Sequence, residues 1–220
     1  MLETTLNKLF KWLIISIVLV STSFSTIARA QSYDELLTAI KLNHIPNAEE
    51  LFSKGMDVNT TDSSANTLLM IAVRENYPDM VALLLRRQPK VNARNQYGES
   101  ALMIAAGDGR LELVKLLIAH GAQINQVGWN PLIYAAWGGY TELVKLLLEK
   151  GANIDAVAPN GVSALMMATR GGHFETVKLL LWEVADPNIK SDSGGTALGW
   201  AMKAGNSEIA RLLKQAGARE

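Results

Sequence analysis

The side chains best suited to chemistry are few and scattered along the sequence. The three histidines are His44, His120 and His173. A metal site or an acid–base centre needs such groups to converge, whereas these fall in three different periods of a repeating chain. There is no cysteine, which excludes a disulfide, a thiolate nucleophile, a thiolate metal site and an anchor built on an acylated cysteine. No H-E-x-x-H, G-x-S-x-G or phosphate-loop pattern occurs. Gly107 and Gly109, Gly138-Gly139 and Gly171-Gly172 recur at one place in the period, so they read as turns between helices rather than phosphate cradles. Methionine recurs too, at Met70, Met103 and Met166. A soft-metal or oxidant-sensing cluster is one reading of those thioethers, and core filling is the simpler one. The sequence thus supports a non-enzymatic protein with no cofactor and no metal, against the competing class of an enzyme with an unrecognised site.

The elements that position the remaining side chains follow from a repeat. Loop residues Asn59, Asn92, Asn125, Asp155 and Asn188 are separated by 33, 33, 30 and 33 positions. Ahead of a first helix stand Thr67-Leu-Leu-Met, Ser100-Ala-Leu-Met, Asn130-Pro-Leu-Ile, Ser163-Ala-Leu-Met and Thr196-Ala-Leu-Gly. Each begins with a residue whose side-chain oxygen can accept from the free amides of a new helix, and Pro131 sits where its missing amide costs nothing. Alanines such as Ala105, Ala106, Ala135, Ala136 and Ala168 allow first helices to approach closely. Leu83 to Leu85, Leu116-Leu117, Leu146 to Leu148 and Leu179 to Leu181 give the second helices an apolar face. Those second helices end at Gly55, Gln88, Gly121, Gly151, Val184 and Gly217. Glycine suits the left-handed exit that closes a helix, so Gln88 and Val184 are local irregularities. Six helical hairpins result, each too small to bury its own apolar face, so stacking forms the core. Residues 33 to 55 open on the polar Tyr33-Asp34-Glu35 and read as an N-terminal cap, and the last unit ends in charge.

A period of 33 with this helix-start tetrapeptide resembles the ankyrin repeat. The resemblance covers residues 33 to 218 and implies an all-α solenoid of six helix–turn–helix units with hairpin-like finger loops. One departure stands out: the histidine usual at the fourth tetrapeptide position is Met70, Met103, Ile133, Met166 or Gly199 here. Family members dock partners on a concave face made of the fingers and the exposed flank of the first helices. Carried over by register, that face includes Arg74, Tyr97, Glu99, Asp108, Trp129, Trp137, Tyr140, Arg170 and Lys203. The fourth finger lacks three residues and holds Trp129, while Trp137 lies on the flank of the helix that follows. These rings are expected to anchor a partner, truncation costing about 2 kcal/mol; alternatively the indoles fold back to fill the gap left by the short finger. Tyr134 and Trp200 share the slot of Ile104 and Met167 and are expected in the core. Trp182 falls on the outer side of a second helix. Charges of both signs around the aromatic centre suit a protein partner, bound by a monomer.

The 21 basic and 21 acidic residues balance, which gives no footprint for nucleic acid. Lys8 and Lys11, the apolar run from Trp12 to Val20 and the Ala28-Arg29-Ala30 site read as a signal peptide over residues 1–30, cut between Ala30 and Gln31. Serines and threonines interrupt the run, against the alternative of a membrane anchor, which needs about 20 apolar residues. Residues 31–220 are then expected in the periplasm, with no stable membrane insertion after cleavage. The chain resembles small exported bacterial ankyrin proteins, and that resemblance implies support of a periplasmic stress or redox enzyme such as a catalase. The alternative role is inhibition of an enzyme that attacks the cell wall or lipid.

Overall fold

The computed structural model describes residues 31–219. The expected leader, residues 1–30, and its cleavage site lie outside or at the edge of that range. The described residues form twelve helices in six antiparallel pairs. Helix α1 runs through residues 31–41 and pairs with α2 (Ile45–Ser53). The later pairs are α3 (Leu68–Arg74) with α4 (Pro78–Arg86), α5 (Ala101–Gly107) with α6 (Leu111–Ala119), and α7 (Pro131–Trp137) with α8 (Thr141–Glu149). They continue with α9 (Ala164–Arg170) and α10 (Phe174–Trp182), then α11 (Ala197–Lys203) and α12 (Ser207–Gln215).

The polar residue ahead of each first helix does what its chemistry dictates. Thr67, Ser100, Asn130, Ser163 and Thr196 accept from the amides of Met70, Met103, Ile133, Met166 and Gly199 at 3.0–3.4 Å. Each bond satisfies an amide that has no partner inside its helix, contributing about 1 kcal/mol. Once begun, the first helices stack α3–α5–α7–α9–α11 in a row. Ala105, Ala135, Ala136 and Ala168 are wholly buried between them. Met70, Met103 and Met166 take the family's histidine position as buried core side chains, so apolar packing replaces a polar link between repeats.

A second connection runs along the loops. The side chains of Asn92, Asn125 and Asn188 each donate to a glycine carbonyl of the next loop, at Gly121, Gly151 and Gly217 (2.8–3.3 Å). They also accept an amide two residues further on, from Gln123, Asn153 and Arg219, at 2.8 Å. At the two irregular junctions only the accepting half survives: Asn59 takes the Lys90 amide at 2.7 Å and Asp155 the Asp186 amide at 2.9 Å. Gln88 and Val184 there hold left-handed φ of 53° and 65°. The backbone keeps the shape glycine would have given it, at a cost of about 1–2 kcal/mol each.

Fingers connect the pairs. In four of them a main-chain bond closes the tip: Asp62 N to Asn66 O, Asn95 N to Glu99 O, Ala158 N to Val162 O and Ser191 N to Gly195 O, at 2.9–3.0 Å. Asn66 and Val162, at finger positions, turn inward and are buried. The connection from Ala119 to Pro131 is three residues shorter than that from Arg86 to Ala101, and it has no such closing bond among the described residues. Gln126 is buried in this short loop with its side-chain oxygen unpartnered. The N-terminal unit differs from expectation at Tyr33, which is no solvent-facing cap: its ring is half-buried and its hydroxyl donates to the Thr61 carbonyl. Among the described residues no helix is long and apolar enough to cross a membrane.

Candidate functional site

The fingers and the free flank of the first helices make one continuous face. Its flank ladder takes one residue from each first helix after α1: Arg74, Gly107, Trp137, Arg170 and Lys203, at the ends of α3, α5, α7, α9 and α11. Trp137 is 56 % exposed, an indole with little protein around it. Its backbone is nonetheless fixed, because His173 Nε2 lies 2.8 Å from the Trp137 carbonyl oxygen.

Beside this ladder runs a polar chain that ties three repeats together. Asn66 Oδ1 accepts from Arg74 Nη2 at 3.3 Å and from Asn95 Nδ2 at 2.9 Å. Asn95 Nδ2 also donates to Glu99 Oε2 at 2.9 Å, and Arg74 pairs with that same oxygen at 3.8 Å. The other Glu99 oxygen accepts from the Tyr134 hydroxyl at 3.4 Å. Tyr134 then meets Trp129 edge-on, ring centres 5.9 Å apart and planes at 66°. Burial, followed by the charge and hydrogen bond of Glu99, holds the Tyr134 phenol above the ordinary tyrosine range. Arg74 and Glu99 are therefore engaged with each other, and a partner would add to an organised pair rather than meet free charges.

The other expected residues separate by role. Tyr97 is 70 % exposed at the tip of the third finger, its amide fixed by Asn95 Oδ1 at 3.0 Å. Asp108 is exposed at the end of α5. Arg170 lies with its guanidinium carbon 5.9 Å from the Trp200 ring centre, and Lys203 is exposed at the end of α11. Trp129 is half-buried, so the short finger folds this indole back onto Tyr134 while Trp137 stays out. Tyr140 is 37 % exposed and also packs between repeats. Its ring lies against the α5–α6 turn, so close that a Cβ at Gly109 would fall 2.5 Å from it, and one at Gly138 2.2 Å. Tyr140 is a spacer between repeats, occupying the position from which Tyr77 reaches the Lys41 carbonyl at 3.3 Å and His173 reaches Trp137.

Tyr134 and Trp200 pack against the core but are only partly buried in it. In their slot Ile71, Ile104 and Met167 are buried, whereas both rings are half-buried and open onto the face. Ring size was the available signal: a slot filled by isoleucine or methionine in sibling repeats cannot swallow an indole. Trp182 is 82 % exposed on the second-helix side. Among the described residues no three histidine or carboxylate side chains are grouped to hold a metal ion.

Six stacked helical hairpins joined by fingers and by an asparagine ladder define an all-α repeat solenoid. The model for ankyrin repeats (3 copies) matches residues 6–95, 69–158 and 152–219, and the chain belongs to the ankyrin-repeat family. Such repeats are protein-interaction modules and generally not enzymes. The chain is 39 % identical over 85 residues to a glycerophosphocholine phosphodiesterase of Schizosaccharomyces pombe, covering 37 % of this chain and 8 % of that protein. It is 36 % identical over 107 residues to the B-cell lymphoma 3 protein homolog of Mus musculus, 46 % of this chain and 24 % of that one. An ankyrin repeat protein of Fowlpox virus is 37 % identical over 93 residues, 41 % of this chain and 27 % of its own length. The matches thus span well under a third of these curated relatives. What so varied a set shares is the repeat, which carries architecture rather than one activity.

Proposed function

We propose that this chain is an exported, non-enzymatic binding module whose finger face, concave in this family, grips a folded protein around Trp137 and the Trp129–Tyr134 pair. The observation that carries the reading is the 56 % exposure of Trp137 on a backbone held by His173. A solvent-facing indole on a fixed backbone has only two side-chain torsions to order on binding and contributes a large contact area. The charge pattern of residues 1–30 supports export to the periplasm, where the partner is proposed to be a stress or redox enzyme that the module supports.

Crosslinking in the periplasm with wild type and with Trp137→Ala tests the site. Loss of a crosslinked partner from a folded Trp137→Ala protein is expected; an unchanged set removes Trp137 from the interface. The N-terminal mass of the purified protein tests export separately, with Gln31 expected first and Met1 the contrary result.

A further inference from the structure

Charge on the finger face is unevenly placed. Arg74 is paired with Glu99, and Glu75 and Asp108 stand at the same register beside the flank ladder, all on α3, α5 and their flanks. In the last two repeats that neighbouring register is Gly171 and Ala204, and the ladder residues are Arg170 and Lys203. The ion pairs of the described residues are Lys54–Glu50, Arg74–Glu99, Lys115–Glu112 and Lys178–Glu175, so neither Arg170 nor Lys203 has a carboxylate. Both are exposed, and with Trp200 and Ala204 they line an open depression of about 320 Å³.

Each cation ends a helix and so meets the negative end of its dipole. That interaction leaves the donors of both side chains facing solvent. Trp200, its ring centre 5.9 Å from the Arg170 guanidinium carbon, is held in place by the sixth finger: its Nε1 is so near Gly195 that a Cβ there would sit 2.5 Å away. Asp192, in the same finger, turns its carboxylate toward Gly161 instead.

The geometry points to Arg170, Trp200 and Lys203 as a subsite for an acidic segment of the protein partner. One or two carboxylates accept from the guanidinium and the ammonium, and an adjoining apolar or aromatic side chain lies on the indole. The depression holds a side chain or two, which suits a peptide segment at the edge of a larger footprint. This deepens the reading that the finger face binds protein, and rests on it.

The test uses the purified full chain and a labelled peptide of alternating Glu and Phe, with the same peptide carrying Gln for Glu as control, read by fluorescence anisotropy. Wild type is expected to prefer the acidic peptide about tenfold, and Arg170→Gln or Lys203→Gln to remove most of that preference while lowering the melting temperature by no more than about 4 °C. Gly195→Ala, which adds no charge and pushes on the indole, is expected to weaken binding of the acidic peptide. Trp182→Ala, on the second-helix side away from this depression, is expected to leave it within about twofold. Equal affinity for the two peptides, or acidic-peptide binding indifferent to Arg170→Gln and Lys203→Gln, overturns the proposal. So does stronger capture of phosphatidylglycerol vesicles through the same two residues. If the peptide fails while Trp137-dependent crosslinking persists, the subsite falls and the binding module stands; if peptide binding persists while crosslinking ignores Trp137, the reverse holds.

Discussion

His173 Nε2 sits 2.8 Å from the carbonyl oxygen of Trp137, so a solvent-accessible contact between two repeats holds the backbone that carries an exposed indole. Space for the imidazole comes from glycine: a Cβ at Gly171 would lie 2.4 Å from the ring. His173→Ala is therefore expected to cost about 1 kcal/mol, the ordinary worth of one hydrogen bond. Gly171→Ala should cost about 1–3 kcal/mol by forcing the ring aside. Denaturant unfolding of the double variant checks the mechanism, because removing the ring removes the collision and the two costs should fall short of additive. Additive losses would mean that His173 and Gly171 do not share this space.

Val184 carries its left-handed φ of 65° with 81 % of its surface exposed, so it is strained without burying much in return. Val184→Gly is expected to relieve about 1–2 kcal/mol of backbone strain and to lose part of that to the freer unfolded chain. The melting temperature should rise by about 2–4 °C. A melting temperature that falls would show that the loop draws support from the valine side chain.

The repeat was legible because each unit restates the same constraints: a capping oxygen, small residues between first helices, leucines on second helices, a left-handed exit. Even Gln88 and Val184 announced themselves as departures from glycine. The face was harder to read. Register placed Trp137, Arg170 and Lys203 at exposed helix ends, since that needs only a helix phase. It could not tell that Arg74 and Glu99 take each other, because their link passes through Asn66 and Asn95 on two fingers. Nor could it tell that Tyr140, 37 % exposed, also packs between repeats, because that contact depends on Gly109, thirty-one positions earlier. Contacts between repeats are long-range in sequence, and single-repeat patterns do not encode them.

Tyr134 supplies a titration. Its folded phenol is raised by burial and by the Glu99 charge and hydrogen bond. A raised acid favours the protonated folded form, so this stabilisation is complete below the unfolded tyrosine value of about 10 and disappears as pH rises through the higher folded value. Stability should therefore fall with pH on that alkaline limb more steeply in wild type than in Tyr134→Phe. Ultraviolet titration of Glu99→Gln should show one tyrosine ionising at lower pH than before, while the burial contribution remains. An unmoved phenol would separate Tyr134 from Glu99.

Trp137 and Tyr140 offer the sharpest contrast between a residue proposed to bind and one that packs. Trp137 projects from the end of α7, and its side chain supports little else, so Trp137→Ala should change folding stability by no more than about 0.5 kcal/mol. Tyr140 presses its ring on the glycines of two turns, and Tyr140→Ala opens a gap between adjacent repeats at a cost of about 2 kcal/mol. Partner capture should invert that order: strongly reduced by Trp137→Ala at full stability, and reduced by Tyr140→Ala only as far as unfolding depletes the protein. Measuring denaturant midpoints and crosslinked partner in parallel checks both arms. A Tyr140→Ala protein that stays as stable as wild type yet loses its partner would return Tyr140 to the binding surface, with its packing against Gly109 and Gly138 incidental.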